Sequence, residues 1–326
     1  MQRLNWIDAL KGFAILSVVI GHCIDGVRKG DTYSEYIYAL QAAYDFIYAF
    51  HMPLFFAISG YVFWISKSYR KYLPKILDFG LVYLFWSILM WASKFMLAKD
   101  VNSPLGAADI FRIFYNPIPP YWYLYVLICL YILTSWMKPF INGKLLFAVA
   151  ICAVSVKLTS PPPVIGQIFY HLPFFLLGCI LAKSPLLKNI KFIHIAIFLL
   201  LITGNCALYL TGIPQNPIFF ALRRFIIANT AILLCFKIFE TVRPNRLLIT
   251  LGVHTLVIYV IHCYFTAGIR VVMKHMHIAD IGLYFFLSIL LGTFIPLFIA
   301  ILSKKSPYLN IFFEPLKSFR QIKNKA

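Results

Sequence analysis

Residues 7–22 read IDALKGFAILSVVIGH: an apolar helix-length run whose ionisable groups are Asp8, Lys11 and His22. On an α-helix the eleven residues from Lys11 to His22 make three turns plus about 20°, and roughly 16 Å along the axis. The two side chains therefore share one face, one low and one high. Asp8 lies one turn before Lys11 and Asp25 one turn after His22, so each has an acidic neighbour at i,i+3. A second stretch, HMPLFFAISG at residues 51–60, again sets a histidine in an apolar run. Ionisable groups inside such runs are costly in lipid and turn toward the protein interior or a water-filled cavity.

Working outward, the 326 residues are 61% hydrophobic and only 13% charged, about half the charge of a soluble domain. Runs near the ~20 residues that span a bilayer recur along the whole chain. The ten-residue alternation of an outer-membrane barrel is not visible. The expected fold is all-α: a polytopic membrane bundle of about ten helices, at roughly 7–24, 40–65, 75–97, 121–136, 145–157, 166–182, 191–211, 218–239, 247–269 and 281–302. Without repeats or linkers, residues 1–326 read as a single integral domain, with 303–326 as a basic tail. The first run lacks a small-x-small cleavage site and reads as a retained first helix.

Most of the 30 lysines and arginines fall in the loops after the second, fourth, sixth and eighth spans, and in the tail. The positive-inside rule then puts both termini in the cytoplasm, Lys11 near the cytoplasmic mouth of the first helix and His22 near its outer end. The net charge of +19 thus serves topology and anionic lipid rather than nucleic acid. The seven cysteines show no paired spacing and read as small core residues.

His22 is the leading chemical candidate, since an imidazole near neutrality can act as general base on a hydroxyl. Asp25 would orient its ring and stabilise the charged form, as in hydrolase triads. Lys11 either snorkels to the headgroups or meets the phosphates of a nucleotide-like donor. Asp45 and His51 form a second polar group that is expensive to bury unpaired. Trp122, in the segment IPPYWYL, belongs to an interfacial aromatic belt or to a stacking platform for sugar rings. Arg223 and Arg224 form a basic pair on the less basic side, where topology does not require them. His254 and His262 both have structural hydrogen bonding as their simplest role. His275 and Asp280 match an H-x4-D acyltransferase spacing, but in a short loop without supporting motifs. The stretches that announce metalloproteases, P-loops or serine nucleophiles are missing, and no bound metal or resident cofactor is expected.

These residues together resemble the membrane acyltransferase-3 family, the O-acyltransferases of bacterial surface polysaccharides, and within it the fucose 4-O-acetylase-like branch. The likeness runs through IDALKGFAILSVVIGH, HMPLFFAISGY, PYWYLYVLI, HLPFFLLG and LGVHTLVIYVIHC. It covers essentially the whole chain. The family's basic-x10-His motif falls on Lys11 and His22, which implies a donor-site residue and a catalytic base or acyl relay. Its R-x-x-R motif is represented by Lys67-x-x-Arg70, and lysine does not reproduce the bidentate geometry of arginine. Lys67, Arg70 and Lys71 would meet the donor's charged head. The resemblance implies O-acetyl transfer from acetyl-CoA or another acyl-CoA to a sugar hydroxyl of a surface polysaccharide or its lipid-linked precursor. The setting would be the bacterial inner membrane. Two other readings stand beside it. One is a transporter or flippase for a glycolipid or small anion, because intramembrane charge marks pathways too. The other is a membrane-bound O-acyltransferase of the lipid- or protein-modifying type, in which His262 rather than His22 is essential.

Overall fold

The structure is a computed structural model and describes residues 4–30, 33–66, 73–158, 161–191, 193, 196–197, 199–200, 203–204 and 216–324. Among these residues every regular element is helical, as expected where backbone polar groups must be satisfied within each span. The α-helices are α1 (Asn5–Arg28), α2 (Ile37–Ile65), α3 (Leu73–Met96), α4 (Arg112–Tyr115), α5 (Trp122–Met137), α6 (Gly143–Leu158) and α7 (Pro163–Lys183). They continue with α8 (Pro217–Thr241), α9 (Arg246–Val253), α10 (Thr255–His275), α11 (Ile281–Ser303), α12 (Pro307–Asn310) and α13 (Pro315–Lys323). Among the described residues, eight helical stretches are long and apolar enough to cross a membrane.

The expected spans agree with these helices to within a few residues, with three qualifications. The 145–157 run is helical as α6 but shorter than the eight. The 191–211 run lies mostly outside the described residues. The 247–269 run is not one helix: it breaks at His254, and the long piece continues to His275. Local signals account for several ends. Pro163 occupies the first position of α7, where a missing N–H costs nothing. The Asp280 carboxylate accepts from the Leu283 amide at 2.8 Å and caps α11. On α11, Leu283, Phe286, Leu290, Phe294, Phe298 and Ile301 are exposed, whereas Tyr284, Ser288, Gly292, Thr293, Leu297 and Ala300 are buried. That helical periodicity separates a lipid-facing stripe from a protein-facing one.

The chain forms two compact units. The first comprises Met1–Ser17, Tyr38–Lys67 and Cys129–Val253; the second comprises Val18–Ile37, Ser68–Ile128 and His254–Ala326. In the first, α1 and α9 cross at Gly12 and Gly252. A Cβ on Gly252 would stand 1.6 Å from the Asp8 carbonyl oxygen, and one on Gly12 2.0 Å from that of Leu248. Only residues without side chains allow this approach. Elsewhere in this unit, the Cys179 thiol of α7 reaches the Gly60 carbonyl of α2 at 3.3 Å.

In the second unit α10 and α11 pack along one another. The Tyr284 hydroxyl donates to the Cys23 carbonyl at 3.1 Å, and Tyr121 donates to Val260 at 2.7 Å. The C-terminal segment is held to α3: Asp78 accepts from the Leu316 amide at 2.8 Å, and Trp86 donates to the Phe312 carbonyl at 3.0 Å. Burial alone would push the Glu314 carboxyl up. Hydrogen bonds from Lys304, Asn310 and Lys317 outweigh it and hold the group down to about 2.

Candidate active site

In the second unit, α1 and α10 bring His22 and His262 together with ring centroids 5.0 Å apart. His262 is completely buried. Its Nδ1 lies 3.0 Å from the Ile258 carbonyl and 2.8 Å from the Tyr259 carbonyl. A carbonyl can only accept, so Nδ1 carries the proton and Nε2 keeps its lone pair. The Cys263 sulfur sits 3.3 Å from that nitrogen. His22 and Cys263 are partly exposed while His262 is sealed off. The base-and-thiol pair therefore has one open side. Lys94 of α3 and Arg270 of α10 lie within electrostatic reach of the thiol, and Arg270 also donates to the Gly26 carbonyl at 3.4 Å.

One ligand atom each from His22, His262 and Cys263 fall within 4.8 Å of one another. Imidazole and thiolate are ligand types that suit zinc or copper, so the set can hold a metal ion; Lys94, Arg270 and Asp25 are the charged groups within reach. No stretch of sequence announces this group, because His22 and Cys263 come from opposite ends of the chain. The alternative chemistry is metal-free: two imidazoles and a thiol supply general bases and a nucleophile.

Asp25, expected to orient His22, has other commitments. Its two oxygens accept from Arg28 at 2.8 Å and Lys29 at 2.6 Å. The ring facing His22 is an imidazole from a distant helix. The H-x4-D spacing dissolves as well: His275 pairs with Asp100 at 3.0 Å, and Asp280 is the cap of α11.

The other expected residues that the structure describes fall mainly in the first unit. Lys11 donates to Asp8 at 3.1 Å, with the carboxylate buried and the ammonium side 29% exposed. Asp45 is buried and accepts from Gln41 at 2.7 Å. His51 is buried, with Nδ1 on the Ile47 carbonyl at 2.6 Å and the Tyr48 ring edge-on at 4.6 Å. Arg223 is buried and Arg224 half-buried; both guanidinium groups stack near Phe220, at 5.5 and 5.4 Å. Arg224 is within electrostatic reach of His51 and of Tyr170. Sequence reasoning gave no role to His171, which is buried with Nδ1 on the Gln167 carbonyl at 2.8 Å and lies 4.5 Å from the Phe56 ring. A signal was present: like His51, it immediately precedes a proline-containing apolar run. In the second unit, Trp122 opens α5 and is half-buried. Lys67, Arg70 and Lys71 lie outside the described residues.

The apolar helices define a multi-pass membrane protein. The chain belongs to the acyltransferase-3 family: residues 4–304 match its acyltransferase domain. It is also similar to nodulation protein NolL of Sinorhizobium fredii, 28% identical over 184 residues, covering 54% of this chain and 48% of the relative. NolL of Mesorhizobium japonicum is 27% identical over 181 residues, covering 54% and 47%. The chain thus spans about half the length of the curated relatives it matches. No solved structure matches it. Membership of an acyltransferase family favours the enzyme reading over the transport one.

Proposed function

We propose that the protein transfers an acetyl group from acetyl-CoA to a sugar hydroxyl of a surface polysaccharide or its lipid-linked precursor, in a bacterial inner membrane. The observation that carries this reading is the His22–His262 pair, half open and half sealed, within a chain of acyltransferase family. His22 accepts the proton of the sugar hydroxyl as that oxygen attacks the thioester carbonyl; the CoA sulfur leaves and takes up a proton. Lys11 contacts the donor lower on the same helix face, and Lys67, Arg70 and Lys71 meet its phosphates. Arg223, Arg224, His51, Asp45 and Trp122 contact the acceptor.

The test is radiolabelled acetyl-CoA supplied to membranes that contain the protein and the host's lipid-linked glycans. Wild type is expected to label glycan, and His22→Ala to lower turnover by about 100-fold or more, the range of a lost general base. Lys11→Ala is expected to weaken donor use instead. Equal labelling by wild type and His22→Ala would move the catalytic group elsewhere. An unlabelled glycan pool with every acyl-CoA tried would overturn acyl-CoA-dependent glycan acylation.

A further inference from the structure

The thiol beside the paired imidazoles has no part in the mechanism above. We propose that Cys263 is an acyl relay: it takes the acyl group from the donor thioester as an S-acyl cysteine and hands it to the acceptor hydroxyl. This rests on the reading of the protein as an acyl-CoA-dependent transferase.

Three observations carry it. The sulfur is 3.3 Å from His262 Nε2, the ring nitrogen left with a lone pair once Nδ1 is tied to the carbonyls of Ile258 and Tyr259. A thiol adjacent to a fixed base is the arrangement of an activated nucleophile. Lys94 and Arg270 lie within electrostatic reach of the sulfur. Asp25 is within the same reach, and the two cations would stabilise the oxyanion that follows attack. Finally, Cys263 is partly exposed, as are Cys129 and Cys235, whereas Cys23 and Cys179 are buried; of the partly exposed thiols it is the one placed beside two imidazoles.

The first step is thioester exchange. The Cys263 proton passes to His262 Nε2, and sulfur attacks the acyl carbonyl. The carbon–sulfur bond to CoA breaks, and the CoA sulfur leaves as a thiol with the proton from His262. One thioester is consumed and one formed, so the step needs no further reactant. In the second step the acceptor hydroxyl gives its proton to His22, its oxygen attacks the acyl carbon, and the Cys263 sulfur leaves. The proton held by His22 returns to that sulfur, and an ester remains on the acceptor.

The experiment uses the purified full-length protein in nanodiscs with radiolabelled acetyl-CoA and no acceptor, followed by acid quench, neutral hydroxylamine and peptide mass spectrometry. Wild type and the exposed-cysteine control Cys152→Ala are expected to carry a hydroxylamine-labile label on the peptide containing residue 263. Cys263→Ala is expected to carry none and to lose glycan transfer by about 100-fold or more. When acceptor is then added, wild type is expected to lose the label and His22→Ala to retain it, because its ring acts only in the second step; a purely structural thiol predicts no such difference. Glycan transfer by an unlabelled wild type, with Cys263→Ala turning over normally, would overturn the relay and leave the acyltransferase reading intact. So would a stoichiometric zinc ion that Cys263→Ala loses, found together with an unacylated thiol. Failure to label either glycan or protein with any acyl-CoA would overturn both readings.

Discussion

The first compact unit and the second each bury histidines whose Nδ1 is bonded to the carbonyl one turn back, but their surroundings differ. In the first unit the imidazole edges of His51 and His171 meet aromatic rings, those of Tyr48, Tyr170 and Phe56. In the second, His262 meets another imidazole and a thiol. The same backbone device thus leaves the remaining nitrogen among aromatic rings in one region and beside a thiol in the other. Chemistry follows from what stands opposite the remaining nitrogen, not from the presence of a buried histidine.

Paired substitutions sharpen that contrast. His262→Gln, which preserves a polar side chain but removes the base, is expected to lower glycan transfer by about 100-fold. His51→Gln is expected to change the acceptor KM with kcat held to within about tenfold, the pattern of lost binding rather than lost chemistry. Equal kcat losses would erase the distinction between the units. Next in size is a stability effect confined to the first unit. Gly252→Leu drives a side chain into the Asp8 carbonyl and is expected to cost about 1–3 kcal/mol, as overpacking does. Thermal unfolding in detergent would show it as a lowered Tm.

Smaller still is the expectation for Asp25→Asn. Because its oxygens are taken by Arg28 and Lys29, kcat should stay within about threefold of wild type, well short of the losses that follow removal of a triad carboxylate. A loss approaching that of His22→Ala would restore the carboxylate to the centre of the site. The smallest effect belongs to the C-terminal segment. The Glu314 carboxyl is held down to about 2, so its stabilisation is complete above the ordinary glutamate range and is lost as pH falls toward 2. Hydrogen exchange at residues 304–324 should rise over that acid window in wild type. In Glu314→Gln it should already be raised at neutral pH and change less.

Much of the fold was legible because lipid imposes one solution on apolar runs of this length. The break at His254 was not, since Gly252-Val253-His254-Thr255 contains no proline and looks continuous by hydropathy. Of the site, His22 stood out as an ionisable group inside a span. Its partner did not, because the 240 residues from His22 to His262 leave no periodicity to read. The Asp25 assignment shows a different limit. Spacing from His22 suggested a triad, whereas Arg28 and Lys29 at i+3 and i+4 also donate to the same carboxylate, local partners that the triad reading left out. The H-x4-D spacing of His275 and Asp280 reads as chance from sequence alone, and the two residues serve an ion pair with Asp100 and a helix cap.

The carbonyls that hold His262 have one more consequence. Soluble hydrolases select the tautomer of a catalytic imidazole with a buried carboxylate, a charge that lipid penalises severely. Here the peptide backbone of α10 makes the selection without any charge, using acceptors that every helix already possesses. An imidazole fixed this way has a single proton-exchanging port, and its helix sets the direction in which that port faces. Moving such a histidine by one position would rotate the port by about 100°, with the neighbouring carbonyl one turn back as its new backbone partner. The helical register, more than the identity of nearby acids, then decides which group that nitrogen faces, here the Cys263 thiol.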